Sequence, residues 1–226
     1  MMPDRPETQT TGARMQCFAR WQEDQQSGLC FRDQTILQFG DCWDLLANLI
    51  LLNPGSAVPL SEDPQNAFLE SLCLPSLSHA NGAPYYRFSV DRLMRDLLAF
   101  YSRRHAGGVL KIYNLFNLKN QNSADAMMQF KAHRHHVAML TASEEIRYAG
   151  RPVVVACGKN AFADEALTQA LRQYIALAAP GQLLTLSKVG EHVFSLTAAH
   201  PDDHGLLESY HPSYTFKYGN RTEFGF

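Results

Sequence analysis

The sequence has no cysteine pair at C-x-x-C spacing, no marked surplus of charge of either sign and no long apolar run, and each absence removes a class of protein. Its five cysteines, Cys17, Cys30, Cys42, Cys73 and Cys157, are scattered, which excludes the usual spacing of a zinc ribbon or an iron–sulfur cluster and argues against a disulfide framework. No metal and no other cofactor is expected. The opening residues, MMPDRPETQTTGAR, lack the apolar segment of a signal peptide, so a reducing, cytoplasmic setting is the expectation. No stretch approaches the roughly 18 apolar residues needed to cross a bilayer. The longest candidate, 45–52, is broken by Asn48, and a soluble protein with no membrane partner is expected. Twenty basic residues against 22 acidic ones give a formal net charge of -2, which excludes a protein that is basic throughout. It does not exclude nucleic acid, because counterion release depends on the charges lining one groove.

What is present is core material. Of the 226 residues 46% are apolar and 19% charged, enough to bury one core of roughly 150–200 residues. Residues 1–13 carry Pro, Thr, Gln and charge without apolar periodicity and read as a disordered leader, leaving 14–226 as a single domain. Between 15 and 39 the runs MQCFARW, LCFRD and TILQF, parted by EDQQSG, read as a hairpin flanking the main sheet. Four unbroken apolar runs, 49–52, 109–115, 153–156 and 183–186, suit a parallel sheet covered on both faces. Helical spacing predicts helices over 90–101, with Ser89 as N-cap, over 124–148 and over 163–178. Strand–helix alternation with right-handed crossovers implies an α/β fold, a three-layer α/β/α sandwich with a short, mainly parallel central sheet. Residues 192–197 would form an edge strand.

In such sheets ligands bind beyond the carboxyl ends of the strands. Those positions are polar here: Asn53-Pro54-Gly55-Ser56 after the first run, Asn114 closing the second, Cys157-Gly158-Lys159-Asn160 after the third, and His211-Pro212-Ser213 late in the chain. Gly55 can take positive φ and turn backbone N–H groups outward beside Ser56, although Asn, Pro, Gly and Ser are also ordinary turn residues. Asn114 can donate and accept along the edge of a planar base, or it can cap its strand. His211, held by the following proline, is placed to donate to a developing anion, with His200 in a second His-Pro pair as competitor. His133, His135 and His136 have no zinc-ligand spacing and read as a solvated helix face. From 210 to 226 aromatics alternate with Lys217 and Arg221, either as a stacking and phosphate-tracking surface or as a packed terminal segment, with Gly219-Asn220 as a tight turn at its tip. The large segments 59–84 and 193–210 are candidates for shaping a pocket.

The blocks LLNPGSA with EDP, GGVLKIYNLFNLKN, VVVACGKN and HPSY resemble successive blocks of a bacterial and phage family of unknown function, over about 45–214. That pattern is in turn similar to the uracil-DNA glycosylase superfamily. The resemblance implies that Asn53 positions the attacking water, Asn114 reads the flipped base and His211 steadies the leaving base, with Gly55, Ser56 and Ser213 on phosphates and Phe88 as a stacking candidate. It implies a metal-free DNA glycosylase with DNA as partner, excising a damaged or modified base, phage DNA being one source. The chain departs from the superfamily in having no Asp at position 53 and no Tyr-His after Pro54. An amide orients water but takes no proton, which removes a general base worth about 100- to 10,000-fold. A non-catalytic nucleic-acid or nucleotide binding module of the same fold and a transferase using Gly55 and Gly158 as phosphate cradles stay open. A Walker-type kinase does not, since G-x-x-x-x-G-K-[ST] is absent.

Overall fold

The computed structural model describes residues 15–60, 62–75, 77, 83–219 and 221–224. The leader 1–13 and Asn220 of the expected terminal turn lie outside them. The chain forms an α/β fold around one mixed sheet. Its strands are β1 (Met15–Asp24), β2 (Leu29–Phe39), β3 (Leu45–Leu51), β4 (Tyr85–Arg87), β5 (Gly108–Asn114), β6 (Val153–Val155), β7 (Leu183–Gly190), β8 (Val193–Ala198) and β9 (Arg221–Phe224), in the order β4-β1-β2-β5-β3-β6-β7-β8-β9. Helices α1 (Asn66–Ser71), α2 (Arg92–Tyr101), α3 (Ser123–His133), α4 (Glu165–Ala176) and α5 (Pro212–Tyr218) complete it. Among the described residues no helix is long and apolar enough to cross a membrane.

The sheet corrects the expectation of mainly parallel pairing. The centre is parallel, with β3 between β5 and β6 and β7 beyond, and β9 runs parallel to β8. The β1–β2, β1–β4, β2–β5 and β7–β8 ladders are antiparallel and hold most of the paired residues. The reason is the first hairpin. Its strands are long enough to join the sheet through β5 rather than flank it, around a turn closed by Gly28 in the left-handed region and by the Asp24 carboxylate accepting from Gln26 N at 3.1 Å. At the other end β9 covers β8, so residues 193–198 are not an edge.

Both faces of the sheet are apolar, as the unbroken runs required. On one face Ala47, Leu49, Leu51, Leu110, Ile112 and Val154 pack against Met94, Leu97 and Leu98 of α2. On the other, Ile50, Tyr113, Val153 and Val155 meet Phe130 of α3 and Leu167, Leu171 and Ile175 of α4. Side-chain caps start the helices: Asp91 accepts from Met94 N for α2, Asn122 from Ala124 N for α3 and Asp164 from Ala166 N for α4. The cap of α2 is thus Asp91, not Ser89. The region expected as one helix over 124–148 is helical only to His133. Beyond it the ring of His136 stacks on Phe31 at 4.4 Å and Asn117 N donates to the Met139 carbonyl at 2.8 Å, tertiary contacts that hold the backbone out of a helix.

β2 is irregular near its middle. Gln34 has φ 49°, and the β1–β2 register shifts between Phe18/Ile36 and Arg20/Asp33, so β2 carries a bulge. Asp33, the cross-strand partner of Arg20, shares its side of the sheet, toward α3. There Arg20 Nη2 lies 2.6 Å from Asp33 Oδ2 and 2.6 Å from Glu145 Oε2 of a 3-10 turn, Ser143–Glu145, with Arg20 and Glu145 both buried. Removing one member of a buried ionic group leaves uncompensated charge. Arg20→Met is therefore expected to lower the unfolding free energy in urea titration by about 3–5 kcal/mol; a loss under about 1 kcal/mol would show that solvent reaches the carboxylates.

Candidate functional site

The carboxyl ends of β3 and β5 are level, Leu51 opposite Asn114. The segments that leave β3, β5 and β6 surround a cleft of 1110 Å³ on the α2 face, closed on its far side by the start of α2, the end of β7 and residues 208–217. Asn53, Gly55, Ser56, Asn114, His211 and Ser213 all line it. These residues come from three separate stretches of sequence, which meet where the sequence placed a ligand. The described residues of 59–84 do not line it, and of 193–210 only Glu208, Ser209 and Tyr210 do. The segment 59–84 instead sets Leu69 of α1 on Phe18, Ile36 and Tyr85, in a separate apolar cluster.

Each site residue has a defined free end. The Asn53 amide nitrogen donates to the carbonyls of Pro54 at 2.8 Å and Asn120 at 3.3 Å, which leaves Oδ1 as an acceptor. Gly55 does not have positive φ, contrary to expectation. It packs closely on α2: a Cβ there would stand 3.3 Å from Asp91 Oδ2, and that side chain would have to give slightly. Ser56 is exposed at the mouth. Asn114 is buried and caps nothing: its backbone carbonyl accepts from Tyr174 Oη at 3.0 Å, and its Nδ2 has no partner.

His211 is the N-cap of α5. Its Nδ1 accepts from Ser213 N at 3.3 Å and lies 2.7 Å from Ser213 Oγ, whose hydroxyl donates to it. The ring proton then sits on Nε2. Burial pulls the imidazole down from 6.5 to about 4, so at neutral pH it is an uncharged donor. Gly158, at φ 74°, makes room for it, since a Cβ there would come within 3.1 Å of His211 Cβ. The competing His200 is exposed and does not line the cleft. Phe88 does not line it either; it is buried edge-on to Trp21, with ring centres 6.0 Å apart.

Several lining residues were not legible as such. Asp91 brings a carboxylate to the Asn53 loop: Oδ1 accepts from Met94 N at 2.9 Å, and Oδ2 faces Gly55. Its only sequence signal is a capping position, which every helix has. Arg32 and Thr35 of β2 lie in the floor. The rim carries Lys159, Lys188 and Lys217, all exposed. Tyr210, Tyr214 and Tyr218 form a ladder with ring centres 5.9 and 5.0 Å apart, resting on Phe194 and half open to solvent. Phe216 of the same helix packs on Phe100 in the core, so the terminal segment is in part packed against the fold.

Comparison with protein-family models, with curated proteins and with solved structures finds no match to this chain.

The His211 environment makes a prediction with a sign. The folded imidazole titrates near 4 and the unfolded one near 6.5, so as pH falls the unfolded chain takes up the proton first and stability is lost across that window. His211→Asn keeps a capping acceptor without a titrating group. Its unfolding free energy is expected to fall less steeply between pH 6.5 and about 4 than that of the wild type in parallel urea titrations. Identical slopes would mean that the ring is solvated.

Proposed function

We propose that the protein is a DNA glycosylase related in fold to the uracil-DNA glycosylase superfamily, which receives a flipped-out damaged or modified base and hydrolyses its N-glycosidic bond. The observation that carries this reading is the meeting of Asn53, Asn114 and His211, from three blocks far apart in sequence, in one cleft large enough for a nucleoside. The parallel centre β5-β3-β6-β7 with helices on both faces is consistent with the three-layer α/β/α architecture of that superfamily. Lysines and tyrosines on the rim supply phosphate contacts and stacking faces for DNA.

Glycosidic cleavage develops positive charge on the sugar and negative charge on the departing base. The Asn53 Oδ1 accepts a hydrogen bond from the attacking water and aims it. Asp91 Oδ2, beside the same loop, takes the proton as the water oxygen bonds to the anomeric carbon. The bond to the base breaks with its electron pair going to the base. His211 Nε2–H donates to the anion that forms, without needing to be charged, and Asn114 Nδ2 holds the edge of the base. Asp91 thereby restores the general base missing at position 53. Extrusion favours bases already mispaired or damaged, because they cost least to unstack.

The test is incubation with duplex and single-stranded DNAs carrying normal and modified bases, followed by alkaline cleavage at abasic sites. Asn53→Ala and His211→Ala are expected to abolish base release, and Asp91→Asn to slow it by about 100- to 10,000-fold. Tight, salt-dependent DNA binding with no release from any substrate would replace the glycosylase by a binding module, and consumption of a free nucleotide would replace it by a transferase.

A further inference from the structure

The floor of the cleft is made by the sheet, and its polar groups are out of water without protein partners. Arg32 and Asn114 are each 3% exposed and Thr35 is 1% exposed, and all three line the cleft. Arg32 Nε and Nη1, Thr35 Oγ1 and Asn114 Nδ2 have no hydrogen-bond partner. Each such buried atom destabilises the fold, more so where the group is charged. All four belong to residues that line the one cleft, and buried polar groups call for a partner.

Arg32 is the decisive member. Its guanidinium lies 5.0 Å from the centre of the Phe88 ring and 5.6 Å from that of Trp21, which support its plane but offer no oxygen. It makes no ion pair among the described residues. Asp91, the carboxylate whose field acts on it most, is held at the start of α2 by its capping bond. Burial pulls Arg32 down to about 10, which still leaves it charged at neutral pH. On the opposite face of the sheet Arg20 has two carboxylates at 2.6 Å; Arg32 has the same burial and none.

The chemistry of the missing partner follows from the inventory of donors. Guanidinium and amide nitrogens only donate, and the hydroxyl of Thr35 can do so. An exocyclic amino group brought to this floor sets donor against donor. A carboxylate presents only acceptor oxygens and cancels the charge. Backbone phosphates do not compete for the place, because the exposed Lys159, Lys188 and Lys217 meet them at the rim before they could reach a floor this deeply buried.

We propose that Arg32, Thr35 and Asn114 form the recognition site for a carboxylate carried by the substrate base, so that the preferred base is an acid-modified one. The inference rests on reading the cleft as a base pocket and makes Arg32 and Thr35 specificity residues, not catalytic ones.

The test reads binding rather than cleavage. The chain has two tryptophans. Trp43 belongs to a different cluster, with Phe18 and Phe68, so in Trp43→Phe protein the emission reports Trp21 beneath Arg32. The probes are deoxyuridine and its methyl, hydroxymethyl and carboxyl derivatives at one ring carbon. The carboxyl derivative is expected to bind about tenfold or more tightly than the hydroxymethyl one, the scale of hydrogen bonds to a charged group. Arg32→Met erases that margin and Thr35→Val narrows it, the second variant serving if the first fails to fold by circular dichroism. Equal affinity across the series, no binding of the carboxyl derivative, or an unchanged margin in a folded variant overturns the proposal. An acid preference in binding with no base ever released from DNA sinks the glycosylase reading and leaves the recognition site standing; release without acid preference does the reverse.

Discussion

The parallel register of β3 on β5 and β6 is the constraint from which the rest of the site follows. With Leu51 opposite Asn114 and Ile50 opposite Val155, three strands end within a residue of one level. The polypeptide must leave all of them at the same place. Backbone amides and carbonyls that leave a ladder together need other partners, and polar side chains gather where those partners are. Asn53 illustrates it, its amide bridging the carbonyls of Pro54 and Asn120 from the two neighbouring segments. The cleft is a by-product of strands that end level, before any question of chemistry.

A second constraint divides the sheet by face. The bulge at Gln34 sends Arg32 and Thr35 to one side and Asp33 to the other. On the α3 side Arg20 is paired inside the protein with both Asp33 and Glu145. On the cleft side Arg32 has no such partner among the described residues. Two arginines of equal burial on neighbouring strands, Arg20 and Arg32, thus serve opposite ends: one ties a hairpin to a distant turn, and the other is left incomplete. Selection for stability alone has no use for the second arrangement.

The parts of the fold that were legible are those where burial is periodic. The four central strands lie where unbroken apolar runs put them, because a strand covered on both faces is mostly apolar along its length. Asn53, Asn114 and His211 were legible because each directly follows or ends such a run, or precedes a proline. The antiparallel flanks were misjudged because pairing direction is set by which neighbour a hairpin finds, and no local pattern of β2 names β5. Arg32 and Thr35 were invisible for a sharper reason. Two residues three apart on a strand belong to opposite faces unless a bulge intervenes, and Gln34 carries no glycine or proline to announce one. Asp91 was hidden in plain sight, two residues past the serine that pattern alone favours as the cap.

The segment that carries His211 is stitched along β7. Thr185 Oγ1 donates to the Glu208 carbonyl at 2.8 Å and Tyr210 N donates to the Leu186 carbonyl at 2.8 Å. Immediately afterwards α5 buries Thr215, and β9 ties its far end to β8. The wall opposite Asn53 is therefore part of the sheet and not a lid. A ligand entering so stiff a site must adapt its own shape to it. Under the glycosylase proposal that ligand is DNA, and the energy of kinking it would vary with the base steps on either side of the target, so flexible pyrimidine–purine neighbours would favour occupancy.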